Sequence, residues 1–291
     1  MIPDSLVDKR NTKLKVVVLY SAGHLGSAVI LNRLLGFSEI EIVGVVKAQP
    51  LPFTLSASSK IKKHLRKVGW KFAWLLFWQR CIQAIGFALT FLLPFLRKRI
   101  RPAWSLALKH NIPVLHTDNI NSAQSLAFLK VCGADLYISA YFSQILKRET
   151  LQLPKKGVLN VHPGWLPSYQ GAMAYFWVLK NNQDKAGVTI HWIDEGIDTG
   201  QMLARKSFKI EKNSTQDQVL IFTAVIGARL LRRVLKRIVQ GKSPVIHETD
   251  PSESTAYFPM PGSGAFKSYF SNRRFFRIRN ILGILIGKFT K

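Results

Sequence analysis

Residues 157–200 read GVLNVHPGWLPSYQGAMAYFWVLKNNQDKAGVTIHWIDEGIDTG, and the rest of the 291-residue chain is organised around them. Val158-Leu159 is a short apolar run that delivers Asn160 and His162 to the end of a predicted strand. Side chains alternate along a strand, so residues i and i+2 share a face and these two polar groups point the same way. A Pro/Gly-rich loop follows from His162 to Gly171, then a helix-like segment over 172–181. Residues 188–193 form a second predicted strand, which ends in the acidic turn Asp194-Glu195-Gly196-Ile197-Asp198-Thr199-Gly200. An amide, an imidazole and a carboxylate at strand ends are the groups that acyl transfer to an amine requires. Donors hold the developing oxyanion, and a base collects the amine proton. A blander reading has Asn160 capping the loop, His162 as a satisfied turn residue and the acids punctuating a turn.

The pieces N-x-H-P, L-P-S-x-x-G, G-V-T-I-H and D-E-G-I-D-T-G stand in one order. Together they resemble the core of the folate-dependent formyltransferases, the family of glycinamide ribonucleotide formyltransferase and methionyl-tRNA formyltransferase. The resemblance covers residues 13–212 with one large interruption. It implies Asn160, His162 and Asp198 as the catalytic residues, with Asp198 keeping His162 charged. Gln144, Ile145 and Leu146 are implied as one wall of a folate pocket, and Asp194, Glu195, Gly196 and Ile197 as the opposite wall. The implied donor is 10-formyltetrahydrofolate, the acceptor is an amine, and no metal takes part. As bare sequence, Ile145 and Leu146 are core residues, and His162, His191 and Asp198 make no metal-ligand spacing.

Outward from this stretch the chain alternates strand and helix. Residues 14–20, LKVVVLY, read as a buried parallel strand; Ser21-Ala22-Gly23-His24-Leu25-Gly26 opens a helix through Leu35, and 40–46 is the next strand. This is a βαβ unit. Its glycine pattern is incomplete for a dinucleotide site, and Lys47 stands where a ribose-binding acid would be. The resemblance implies that this loop lies near the acceptor and holds its phosphate or hydroxyls at the helix N-terminus; as bare sequence, its glycines serve close packing of strand and helix. Helices over 104–110 and 122–130 and strands over 112–115, 134–140 and 202–210 continue the pattern. Ser214-Thr215-Gln216-Asp217 is an N-cap-like start to a long helix ending near Gly241, and residues 251–266 read as irregular. The expected fold is an α/β, Rossmann-like domain with a mostly parallel sheet over 13–245. A hydrophobic, basic helical insertion (60–102) interrupts it, and a basic extension (246–291) follows.

The formal net charge is +26. Residues 60–101 hold eleven Lys/Arg and residues 267–291 hold seven, with no acid in either; without those eighteen the remainder carries +8. The basic excess is thus localised, and suits a phosphate-rich partner such as anionic lipid or nucleic acid. In the insertion, Trp70, Trp74 and Trp78 recur at nearly helical spacing. The apolar runs on either side of Arg80 are shorter than the roughly 18–20 residues that cross a bilayer. Interfacial or re-entrant helices on an anionic membrane are expected, placing the chain in the cytoplasm, peripheral on the inner face. A buried helical hairpin or a dimer interface is the alternative. Two cysteines, Cys81 and Cys132, give no disulfide framework, and the polar residues 1–12 give no cleavable signal. The acceptor that best suits the insertion is an amino sugar on a nucleotide or lipid carrier. The rival readings are a methionyl-tRNA formyltransferase-like enzyme acting on tRNA, and a non-catalytic membrane-docked scaffold.

Overall fold

The computed structural model describes residues 13–48, 69–70, 73–74, 77–78, 81, 84–85, 88, 101 and 103–271. Residues 1–12, most of the insertion with Arg80 and its flanking cations, and the tail from 272 lie outside the described residues.

Strands β1 (Leu14–Ser21), β2 (Ile40–Ala48), β3 (Val114–Thr117), β4 (Leu136–Ala140), β5 (Val158–His162), β7 (Lys185–Trp192) and β8 (Met202–Lys209) form one sheet in the order β3-β2-β1-β4-β5-β7-β8. The first five are parallel, whereas β7 runs antiparallel to both β5 and β8. Helices α1 (Leu25–Leu34), α2 (Ala103–Lys109), α3 (Ala123–Cys132), α4 (Arg148–Leu151), α5 (Ala174–Lys180), α6 (Gln216–Val239) and α7 (Ser263–Ser271) complete the described elements, with a two-stranded parallel ladder of β6 (Gln170–Gly171) on β9 (Tyr257–Phe258).

The sheet is buried because its parallel strands are apolar on both faces. Val16, Val17, Val18 and Leu19 of β1 are all fully enclosed. Burying one such aliphatic side chain stabilises the fold by about 1.5–3 kcal/mol. Helix α6 covers the β5–β7 region, packing Leu231, Val234 and Leu235 into the same core as Val161, Val188 and Ile190. It starts with a capping box in which Thr215 and Gln218 satisfy each other's backbone. Ser27 donates to the Ala140 carbonyl at 2.7 Å, pinning α1 to the end of β4.

The loop at Ser21–Gly26 packs closely: His24 stacks on Tyr141 with centroids 4.7 Å apart, and a Cβ on Gly26 would lie 2.7 Å from the Tyr141 ring. Residues 251–266 are not irregular throughout, because β9 pairs with β6 and α7 begins at Ser263. No amphipathic pattern in so short a strand announces that pairing. Backbone hydrogen bonds to a distant loop create it.

Candidate active site

Strand β5 carries Asn160 and His162 to its carboxyl end, paired with His191 and Thr189 of β7. The following turn brings Asp198 back onto them. The Asp198 carboxylate lies 3.3 Å from His162 Nδ1 through Oδ2, and 3.5 Å from His191 Nε2 through Oδ1. The Asn160 amide nitrogen is 3.3 Å from Asp198 Oδ1 and 3.1 Å from His191 Nε2. His162 and His191 are 2% and 1% exposed, so the cluster is desolvated. Asp198 holds a φ of 55°, in the left-handed region that a non-glycine residue occupies at a cost of about 1–3 kcal/mol. The Asn160 amide and the Gly171 N–H, which donate to its carboxylate, help to hold it there.

Donor and acceptor roles follow from the partners. His191 Nδ1 is 2.7 Å from the Trp192 carbonyl, so that nitrogen carries the proton and Nε2 accepts from Asn160. His162 Nε2 is 2.6 Å from the Tyr169 carbonyl and donates to it, which leaves Nδ1 facing Asp198. Burial lowers the pKa of His162 below the ordinary 6.5; the Asp198 charge pulls it up, His191 adds to the lowering, and the Tyr169 carbonyl also pulls it up. The net direction is downward. Burial and the Asp198 carboxylate thus act in opposite directions on the charge of His162. Burial pushes Asp198 up, but His162, His191 and the Gly171 N–H together outweigh it and hold the carboxyl well below the usual range. These two influences pull against each other. Both His162 nitrogens face acceptors, Nε2 the Tyr169 carbonyl and Nδ1 the Asp198 carboxylate, which suits a protonated ring, while burial opposes that charge. Nδ1 is then where an incoming proton bridges His162 to Asp198.

Gly171 donates its N–H to Asp198 Oδ2 at 2.8 Å. Its φ is 96°, and a Cβ there would collide with the Phe258 carbonyl, so only glycine fits. Tyr169, Gly171 and His191 are the supporting residues that the motif reading quoted without assigning. They are found by backbone partners and strand register rather than by residue type.

The residues of the two expected pocket walls make contacts of their own. Gln144 spends its amide on the 117–120 loop, accepting from Ile120 N–H at 2.6 Å and donating to the Thr117 carbonyl at 3.1 Å. Leu146 is 5% exposed, in a core cluster that also includes Ile193. Ile145 and Ile197 are exposed. Asp194 accepts from Gly196 N–H and from the Thr199 hydroxyl, closing its own turn. Glu195 lies 4.0 Å from Arg148 at the surface. Among the described residues no group of three or more His, Cys, Asp or Glu could hold a metal ion.

The site thus gathers an amide, two imidazoles and a carboxylate at a strand end of a Rossmann-like sheet. Residues 105–235 match the model of the family described as Formyl transferase. A methionyl-tRNA formyltransferase from Clostridioides difficile (strain 630) is 34% identical over 159 residues, which is 55% of this chain and 51% of that protein. The chain spans about half the length of the methionyl-tRNA formyltransferases it matches. Two solved structures share the fold. One is a phosphoribosylglycinamide formyltransferase from Anaplasma phagocytophilum (TM-score 0.56, 16% identity, covering 86% of this chain and 100% of that one). The other is an N-formyltransferase from Helicobacter canadensis in complex with folinic acid and dTDP-3-aminofucose (TM-score 0.53, 18% identity, covering 84% and 71%).

Proposed function

We propose that this protein transfers a formyl group from 10-formyltetrahydrofolate to an amine, on an amino sugar borne by a nucleotide or lipid carrier. The observation that carries the reading is the convergence of Asn160 and His162 on Asp198, each at 3.3 Å, in a desolvated cluster. The amine nitrogen forms a bond to the formyl carbon, the bond from that carbon to N10 breaks, and the amine proton ends on N10. Asn160 turns one amide hydrogen from Asp198 to the formyl oxygen as negative charge develops there. The proton is held meanwhile at His162 Nδ1 against Asp198, a position that geometry favours and burial opposes. Gln144, Ile145 and Leu146 form one wall for the donor and Asp194, Glu195, Gly196 and Ile197 the other. With the Gln144 amide and the Leu146 side chain already engaged, the first wall offers chiefly backbone and Ile145.

A surface role accompanies the chemistry. The described positions between 70 and 88 are helical, and Trp70, Trp74, Phe77 and Ile85 are exposed there at 70%, 55%, 55% and 50%. No helix of the described residues is long and apolar enough to cross a membrane. Exposed aromatics beside a run of cations fit peripheral docking on the anionic inner face of a membrane. The tRNA reading is favoured by the methionyl-tRNA formyltransferases among the relatives and by the net charge of +26.

The test is formyl transfer from 10-formyltetrahydrofolate to a panel of amines: nucleotide-linked amino sugars, lipid-linked amino sugars and charged initiator tRNA. Turnover with an amino sugar is expected, falling about 10²–10⁴-fold in Asn160→Ala, His162→Ala and Asp198→Asn. Asn tolerates the left-handed backbone at 198, so that variant removes charge without adding strain. Turnover with tRNA alone would replace the acceptor assignment; wild-type turnover in all three variants would remove the site.

A further inference from the structure

Beyond the residues matched to the family, the chain returns to its own active site. The segment from Asp250 to Phe258 runs along the 163–171 loop. Ala256 N–H donates to the Pro167 carbonyl at 3.2 Å, Gln170 N–H to the Ala256 carbonyl at 2.9 Å, and Ala172 N–H to the Phe258 carbonyl at 2.8 Å. The Phe258 ring stacks on Tyr169 with centroids 5.0 Å apart and an angle of 13°, and lies 5.2 Å from Trp177.

Glu253 anchors this segment. It accepts from Trp165 Nε1 at 2.9 Å and takes both oxygens to Arg205, at 2.9 and 2.6 Å. The Arg205 guanidinium sits 4.3 Å from the Trp165 ring centroid and also donates to the Leu166 carbonyl at 3.0 Å. Arg205 lies on β8 opposite Thr189 of β7, and Thr189 accepts from Leu166 N–H and donates to the Gly164 carbonyl. The loop is thus gripped from the sheet side by Thr189 and Arg205, and from the outside by Glu253 and its segment. Arg205 and Glu253 are largely enclosed, at 14% and 19% side-chain exposure, so the pair is little screened.

What this loop supplies is the backbone of the catalytic centre. The Tyr169 carbonyl holds His162 Nε2, and the Gly171 N–H holds Asp198 Oδ2. We propose that Glu253 is a positioning residue: from outside the family match it locks the 163–171 loop, and through Tyr169 and Gly171 it sets the geometry of the His162–Asp198 pair. The proposal rests on the formyltransferase reading only for what that pair does; the positioning itself is a property of the free protein.

The test therefore needs neither donor nor acceptor. In the full-length chain with ¹³C-labelled histidine, the His162 resonance is identified by its loss in His162→Gln and titrated in wild type, Glu253→Ala, Glu253→Gln and Thr215→Ala. The last removes the cap of α6 and controls for loss of stability alone. Freeing the loop admits water to His162 and relieves the burial that is the largest influence on it. The Glu253→Ala titration is expected to move upward toward 6.5, Glu253→Gln to move less because it can still accept from Trp165, and Thr215→Ala to stay with the wild type. Superimposed curves for all variants would overturn the proposal, as would an equal shift in Thr215→Ala. Failure of both Glu253 variants to fold would overturn it too, by assigning Glu253 to stability. An inactive wild type would sink the formyl-transfer reading and leave this result standing.

Discussion

At the scale of the residue, the site sets desolvation against hydrogen bonding. His162 and Asp198 both have folded-state pKa values below their ordinary 6.5 and 3.8, so the folded protein binds fewer protons than the unfolded chain. The stabilisation from His162 is present above about pH 6.5 and is lost as pH falls through it; that from Asp198 is present above about pH 3.8 and is lost below it. Melting temperature should drop between about pH 7.5 and about pH 5.5, and the drop should be smaller in His162→Gln. An equal drop in both proteins would show that His162 is not the group whose burial resists protonation. The residue types of this site were legible in the motifs, because Asn160, His162 and Asp198 sit in the pieces N-x-H-P and D-E-G-I-D-T-G. The protonation state was not. It depends on how much water reaches His162 and on the carbonyl of Tyr169, neither of which leaves a mark on residue identity.

At the scale of the element, helix α6 is held to the sheet by a close approach. A Cβ on Gly227 would lie 2.6 Å from a Val161 methyl and 3.1 Å from one of Val188. Alanine gains up to about 1 kcal/mol over glycine in a helix, but overpacking a filled core costs about 1–3 kcal/mol. Gly227→Ala should therefore destabilise the protein in urea unfolding, and should lower turnover as well, since Val161 lies between Asn160 and His162 on β5. A variant as stable as wild type would mean that α6 can shift away without cost. The helix itself was announced by its cap at Ser214–Asp217, and strand β1 by its apolar, β-branched run. The two-residue strands β6 and β9 were not, being too short to show any period.

At the scale of the whole molecule, the structure joins parts of the chain that are far apart in sequence. A Cβ on Gly69, at the root of the exposed aromatic helix, would lie 3.1 Å from Ser263 at the start of α7. The basic insertion and the segment leading to the basic tail thus meet at one place. Each Lys or Arg near an anionic surface contributes about 1 kcal/mol, and exposed Trp and Phe add the area they bury. The whole chain should float with phosphatidylglycerol liposomes and less so with neutral ones, and a variant with Trp70, Trp74 and Phe77 changed to Ser should float less. Equal flotation of the two proteins would remove the aromatic face from the docking surface. Because these side chains are already exposed, the variant is expected to fold.

The sequence by itself determined the alternation of strand and helix, the family of the core and the identity of its polar residues. These are local properties, written in period, caps and motif spacing. Only the tertiary structure decided that His191 accepts from Asn160, that Gly171 and Tyr169 present their backbone to Asp198 and His162, and that Glu253 reaches Arg205 and Trp165. Those contacts join residues 7 to 88 positions apart. Backbone hydrogen-bonding groups are the same in every residue, so their choice of partner is fixed by the packing of the sheet and not by the side chains a sequence displays.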